Sequence, residues 1–339
     1  MCAAQISEIR MWRLRVGICS SMTETVLQKL QSVGVVNIVD FVGHDLDVLA
    51  TKSGVGYRDL AAIRRVLVSE HAAPVVAGSS LFDVVVSTTS IVSAGSSALD
   101  NLLEGGIFTG EITEVISDRS VVCDALVMNT VLTVVTAMSK NVMFIDTSNR
   151  FDASRLSAML ASQPNVDVET ALKRVRVVKC FDVLELLSKL SILSDSQSTS
   201  NDSFYSSLKL VIVDGIVDCI VPLLSHIHNN AGCGYIAQLV RQFRLLTTDF
   251  GYAVLLCNGD GRSVTSKNTT VPKMTALGML WCSVPDTRLD VVEVTGESNQ
   301  CGIDNTMAFG QIKITLSKSN RLPVGPCVEL KVNELGLYA

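Results

Sequence analysis

Thr109-Gly110-Glu111-Ile112-Thr113-Glu114-Val115-Ile116 runs straight into Ser117-Asp118-Arg119-Ser120-Val121-Val122-Cys123-Asp124, and the reading of this stretch decides the fold. Ile112–Ile116 is a short β-branched run, the pattern of a buried strand. Ala125 to Ser139 then continues for fifteen residues without a charge. That is too short for the ~20 apolar residues of a membrane-spanning helix. It suits a helix covering the strand.

The same alternation repeats downstream. Val142–Ile145, Arg176–Val178, Leu210–Val213 and Ala253–Leu256 are β-branched or aliphatic runs separated by helical stretches. Strands alternating with helices predict an α/β core of mostly parallel sheet with crossover helices. The last third is strand-rich. Leu289–Val294, Gln311–Leu316 and Cys327–Val332 read as an antiparallel extension. Ser194 to Ser207 is a run of small polar residues, expected to be a loop.

Upstream of residue 84 the pattern is helical. Thr23 caps an expected helix over Glu24 to Ser32 that Gly34 stops, and Asp45 to Ala50 is a second helix. Tyr57 to Glu70 is a third, with Leu60, Ile63, Val66 and Leu67 on one face. The expected organisation is a small all-helical domain over 1–72, a linker over 73–83 beginning Ala-Pro-Val-Val-Ala-Gly, and an α/β core over 84–339.

Composition narrows the class. Of 339 residues 48% are hydrophobic and only 18% charged, which excludes a disordered chain. Net charge is −5, so strong unaided binding to nucleic acid is not expected. None of the ten cysteines forms a C-x-x-C pair, and most lie in apolar runs, as in a reducing compartment. The N-terminal residues mix charges into every apolar stretch, unlike a secretory signal. No membrane association is expected. The mean hydropathy of +0.38 points to surface completed by partners.

Several runs, in order along nearly the whole chain, carry a family resemblance. They are Leu14-Arg15-Val16-Gly17, Arg64-Arg65-Val66-Leu67, Gly95 to Leu103 with Gly105-Gly106, Thr109 to Val115, Ala153-Ser154-Arg155-Leu156, Ser283 to Arg288, and Lys318 to Gly325. Together they resemble the RecA-type recombinase family, nearest the eukaryotic Rad-fifty-one paralogues and among them paralogue D. The resemblance implies a RecA-like core behind a helical domain, with ATP and Mg²⁺ as cofactors.

In that family the first strand leads into a phosphate loop of pattern GxxxxGK followed by Ser or Thr. Its glycines let backbone N–H groups close on the phosphates, its Lys contacts the β- and γ-phosphates, and its hydroxyl holds Mg²⁺. Here the window Ser117, Asp118, Arg119, Ser120, Val121, Val122, Cys123, Asp124 contains no glycine, and no Lys occurs between Gly110 and Lys140. Cys123 stands at the Lys position and Asp124 at the hydroxyl position. Val121 and Val122 resist the φ > 0 conformations of a phosphate nest. Asp118 and Asp124 bring charge that repels a polyanion, roughly 4 kcal/mol per pair at ~4 Å and an effective dielectric near 20. Arg119 offsets part of it. Spacing to the next strand predicts a loop substituted in place, not deleted. Ser148 stands where the family's recombinases carry the acidic residue that orients the attacking water. Leu210-Val211-Ile212-Val213-Asp214 keeps the Walker B pattern, whose Asp reaches Mg²⁺ through water, so Asp214 is the one metal candidate. The plainer reading is that Asp214 caps its strand.

Other candidates are weaker. Gly259 to Lys273 corresponds by position to the family's DNA-binding loop, with Arg262, Lys267 and Lys273 as phosphate contacts; an ordinary solvated loop is the alternative. Lys318, Arg321 and Pro323 match a segment that in the family lies against a neighbour's nucleotide; otherwise they form a surface turn. His226 and His228 could hold a metal, but no third ligand lies near in sequence. The helical domain is not basic overall, which favours protein docking over nucleic-acid contact.

The resemblance therefore implies a subunit without its own catalysis, or with weak nucleotide binding. It would act in a homologous-recombination repair complex in the nucleus, assisting recombinase loading on single-stranded DNA. Its partners would be other recombinase paralogues in a hetero-oligomer, with single-stranded or branched DNA bound weakly by the chain alone. Two rivals stand beside it: a DNA-dependent ATPase using Arg119 and Asp214 in an unusual phosphate loop, and a RecA-fold scaffold of an RNA- or protein-modifying assembly.

Overall fold

The computed structural model describes residues 14–71, 75–117, 120–199, 202–224, 231–259, 277, 279–294, 308–333 and 336–338. The chain divides into two compact units, Met1–Val84 and Val85–Ala339.

The first unit is helical. Helices α1 (Glu24–Ser32), α2 (Ile38–Gly43), α3 (Leu46–Ser53) and α4 (Tyr57–His71) follow one another closely. Thr23 caps α1 by accepting from the Val26 amide, and Asp45 caps α3 by accepting from Asp47 and Val48. Helix α2 is not anticipated from hydrophobic spacing. It is set by a capping box in which Asn37 and Asp40 satisfy each other's backbone. Leu30, Phe41, Leu60, Ile63 and Leu67, all fully buried, form the centre of this unit.

Helix α5 (Gly78–Thr88) occupies most of the stretch expected to be a linker, and the division between units falls within it. Nothing breaks the chain between Gly78 and Thr88, so Ser79 to Ser87 can close helical hydrogen bonds. None of its residues is buried.

The second unit is a nine-stranded sheet between helices. Its strands are β3 (Ile112–Ser117), β4 (Asn141–Asp146), β5 (Val175–Lys179), β6 (Leu208–Asp214), β7 (Ala253–Gly259), β8 (Thr287–Val294), β9 (Ala308–Ser319), β10 (Cys327–Asn333) and β11 (Gly336–Tyr338). Across the sheet the order is β11-β10-β9-β8-β3-β7-β6-β4-β5. Pairings from β8 through to β5 are parallel, and β8 to β11 pair antiparallel. The expected mostly parallel core with an antiparallel extension is borne out, with β8 as the strand that belongs to both. A separate hairpin, β1 (Ile91–Val92) with β2 (Ile107–Phe108), encloses helix α6 (Ser97–Leu102).

Crossover helices cover both faces. They are α7 (Ser120–Thr136), α8 (Ala153–Ala161), α9 (Val168–Lys173), α10 (Val183–Thr199), α11 (Ser203–Ser206), α12 (Ile216–Leu224), α13 (Ala231–Thr248) and α14 (Met279–Cys282). One apolar layer joins α7 and α8 to the sheet, and the other joins α10, α12 and α13 to its opposite face. The polar run expected to be a loop is largely helical. Leu186, Leu190 and Leu193 carry α10 forward on a buried face, and Ser194 Oγ donates to the Leu190 carbonyl. Asp202 then caps α11.

Candidate functional site

Four parallel strands end together. Asp146 pairs in register with Asp214, Asp214 with Cys257, and Ser117 with Gly259. The carboxyl ends of parallel strands are where open α/β sheets present their ligand crevice. A cavity of about 240 Å³ lies there, lined in part by Ser117, Cys123, Arg150, Asp218, Cys257 and Asn258. It is smaller than the roughly 300–1,000 Å³ of most small-molecule and cofactor sites.

The window expected to be a substituted loop is mostly helix. Helix α7 begins at Ser120, so Ser120 to Asp124 form its first turn, and only residues 118 and 119 separate it from β3. Without a glycine to interrupt it, the helix extends back almost to the strand. Asp118 and Arg119 lie outside the described residues. Cys123 is buried against the sheet, and Asp124 is half-buried.

Asp214 is almost wholly buried, and it already has a cation. Arg150 Nη2 lies 2.5 Å from Asp214 Oδ1. Ser148 Oγ donates to Asp214 Oδ2 at 3.4 Å, and Arg150 Nε donates to Ser148 Oγ at 2.8 Å. Asp124 Oδ1 is 3.9 Å from Arg150 Nε. The loop after β4 delivers this arginine. The carboxylate of Asp146 accepts from the amides of Ser148, Arg150 and Phe151, and Asn149 takes the left-handed conformation at φ 58°. The chain therefore curls over Asp146 and turns Arg150 back toward β6. Sequence reasoning singled out Ser148 and missed Arg150. The signal was the Asp-x-x-Asn-Arg run, in which Asn tolerates the left-handed turn.

The electrostatics match this geometry. Burial pushes Asp124 up to about 6, against the pull of Arg150. Burial likewise raises Asp214, with Arg150 partly offsetting it. Burial alone would lower Arg150; the charges of Asp214 and Asp124 outweigh it and hold the guanidinium above its ordinary value.

These residues do not fit a magnesium nucleotide. The stretch after β3 has no Lys and no glycine, the Asp214 carboxylate is taken by a guanidinium, and Asp124 adds negative charge. Among the described residues no cluster of three or more His, Cys, Asp or Glu is placed to hold a metal.

A second buried network lies behind the site. Glu114 Oε1 accepts from Trp281 Nε1 at 2.6 Å and from the side-chain Nδ2 of Asn258, and Oε2 lies 2.6 Å from Arg288 Nε. Lys318 and Arg321 are engaged within the chain. Lys318 Nζ donates to the Cys282 carbonyl at 2.9 Å, and burial lowers its pKa. Arg321 pairs with Glu111 at 2.6 Å and stacks over Phe108 at 3.6 Å. Pro323 is exposed. Arg262, Lys267, Lys273, His226 and His228 lie outside the described residues.

Comparison with known proteins settles the family. Residues 86–316 match the family model described as Rad51, and residues 11–70 match that described as RAD51D, N-terminal domain. The chain belongs to the Rad51 family. It is 32% identical over 332 residues to the Bos taurus protein named DNA repair protein RAD51 homolog 4, covering 96% of this chain and 97% of that one. Its identity to the Mus musculus protein of the same name is 31% over 334 residues, covering 96% of each. A crystal structure of the RadB recombinase superposes with a TM-score of 0.55 at 20% identity, covering 73% of this chain and 99% of that one, which shows the shared fold. This Rad51-family chain is thus a RecA-type recombinase paralogue of the DNA repair and recombination class. No helix among the described residues is long and apolar enough to cross a membrane.

Proposed function

We propose that this chain is a non-catalytic subunit of a homologous-recombination repair complex in the nucleus, where it assists recombinase loading on single-stranded DNA. The observation that carries the reading is the Arg150–Asp214 pair. The Walker B carboxylate of a Rad51-family core is held by the chain's own guanidinium, beside a helix that replaces the phosphate loop. A subunit of this kind contributes surface, not turnover. Helix α5, with Leu81, Phe82, Val84, Val85 and Val86 each about half exposed or more, supports attachment to other recombinase paralogues. DNA contact falls to Arg262, Lys267 and Lys273, weakly for the chain alone, given its net charge of −5.

The test is co-purification of the tagged full chain with identification of bound chains, together with Mg-ATP titration of the purified protein. Other recombinase paralogues are expected, with no saturable nucleotide binding. Steady ATP turnover abolished by Asp214→Ala would return the chain to the catalytic members. Recovery of RNA- or protein-modifying subunits alone would move it to a different assembly.

A further inference from the structure

The phosphate loop's loss removes the ligand that would bring a cation to Asp214, yet Asp214 stays buried. A buried carboxylate needs a positive partner or a proton. We propose that Arg150 is a built-in substitute for the metal, so that its guanidinium fills the cation seat and holds this edge of the sheet closed without nucleotide. The inference rests on reading the site as one that binds no nucleotide.

Three features carry it. The first is convergence. Arg150 Nη2 meets Asp214 on β6 at 2.5 Å, its Nε meets Ser148 at 2.8 Å, and Asp124 on α7 stands 3.9 Å away. One side chain thus joins the ends of β4, β6 and α7. The second is delivery. Asp146 accepts from three backbone amides, which fixes the loop that aims Arg150. The third is charge. The groups acting on the guanidinium are Asp214 and Asp124, with the thiol of Cys257 behind, while Asp146 acts on both carboxylates and Arg155 on Asp124. Carboxylates outnumber cations there, as they do around a hydrated divalent ion. Arg150 lines the cavity at these strand ends, so removing its guanidinium should let water reach Asp214 and Asp124, and Mg²⁺ is commonly held by one or two carboxylates plus waters.

The prediction is therefore a swap. In thermal unfolding of the full chain, the wild-type midpoint should not respond to millimolar MgCl₂ beyond a NaCl control of equal ionic strength. Arg150→Ala should lower the midpoint by roughly 5–10 °C, and MgCl₂ should restore part of that loss where NaCl does not. In the Arg150→Ala, Asp214→Asn double variant the midpoint should recover without Mg²⁺ and should not respond to it. If Arg150→Ala does not fold, the double variant should still fold, because the charge that the guanidinium serves is gone. A folded Arg150→Ala chain that is as stable as wild type, or that Mg²⁺ does not rescue, overturns the inference, and so does a double variant that fails along with the single one. Saturable Mg-ATP binding by wild type overturns the nucleotide-free reading itself. Absent ATP binding with absent rescue overturns the inference alone.

Discussion

Arg288 Nε lies 2.6 Å from Glu114 Oε2 in a place where Glu114 has no solvent exposure. Glu114 also receives Trp281 and Asn258, so one carboxylate ties β3 to β7, β8 and α14. Its charge is tolerated because all its partners are donors. Glu114→Ala leaves Arg288 buried and unpaired, and should cost about 3–5 kcal/mol in urea unfolding. Glu114→Met combined with Arg288→Met should cost clearly less than Glu114→Ala, because the orphaned charge is absent. Trp281 is one of two tryptophans, so its emission should report the loosening directly.

The pH dependence near Asp124 has a definite sign. Burial raises its folded-state value from 3.8 to about 6. A carboxylate raised in the folded state binds more protons there than in the unfolded chain. Its contribution to stability is fully present below about 3.8 and is lost as pH rises through about 6. Asp124→Asn should therefore stabilise the chain at pH 8, by about 2 kcal/mol once solvent screening at this half-buried site is allowed for, and should have little effect near pH 4. Urea midpoints of the two chains at the two pH values check this, and an equal shift at both would contradict it.

The glycine pair that helps carry the family resemblance has a steric cause. Gly106 sits at φ +132°, and a Cβ there would lie 2.3 Å from the Val92 carbonyl oxygen across the β1–β2 hairpin. Backbone cannot yield as a side-chain tip can. Gly106→Ala should cost about 3 kcal/mol or more and reduce the yield of folded protein. Gly110→Ala is the internal control. It also has positive φ, at +88°, but meets nothing within 4 Å. It should cost only about 1–2 kcal/mol.

Features written in local chemistry were legible in the sequence. β-branched runs gave the strands of the parallel core, and Thr23 and Asp45 marked helix starts because capping is a contact over three residues. Strand β6 with Asp214 at its end was legible for the same reason. What escaped depends on contacts between distant elements or on competition between close alternatives. Arg150 is four residues past the end of β4, and only the curl around Asp146 brings it to Asp214, 64 residues away in sequence. The polar run after Leu193 reads as loop, but the buried face of α10 carries it on as helix. The stretch after β3 lacks glycine, the composition from which a substituted phosphate loop was expected. The same lack let α7 grow back to Ser120, a consequence that composition alone did not reveal.

Helix α5 gives the sharpest test of partner attachment. Phe82 is 66% exposed and Leu81 56%, on a helix with no buried residue. A helix of this composition gains nothing from standing in water, so its apolar residues are expected to be covered by a recombinase paralogue. Phe82→Ser removes a large aromatic anchor from that surface while touching no core. The unfolding free energy of the isolated chain should change by less than about 0.5 kcal/mol. Binding to the paralogue recovered by co-purification should weaken roughly tenfold or more, the scale of an aromatic hot spot. A chain that loses stability without losing its partner would place Phe82 in the fold and not in the interface.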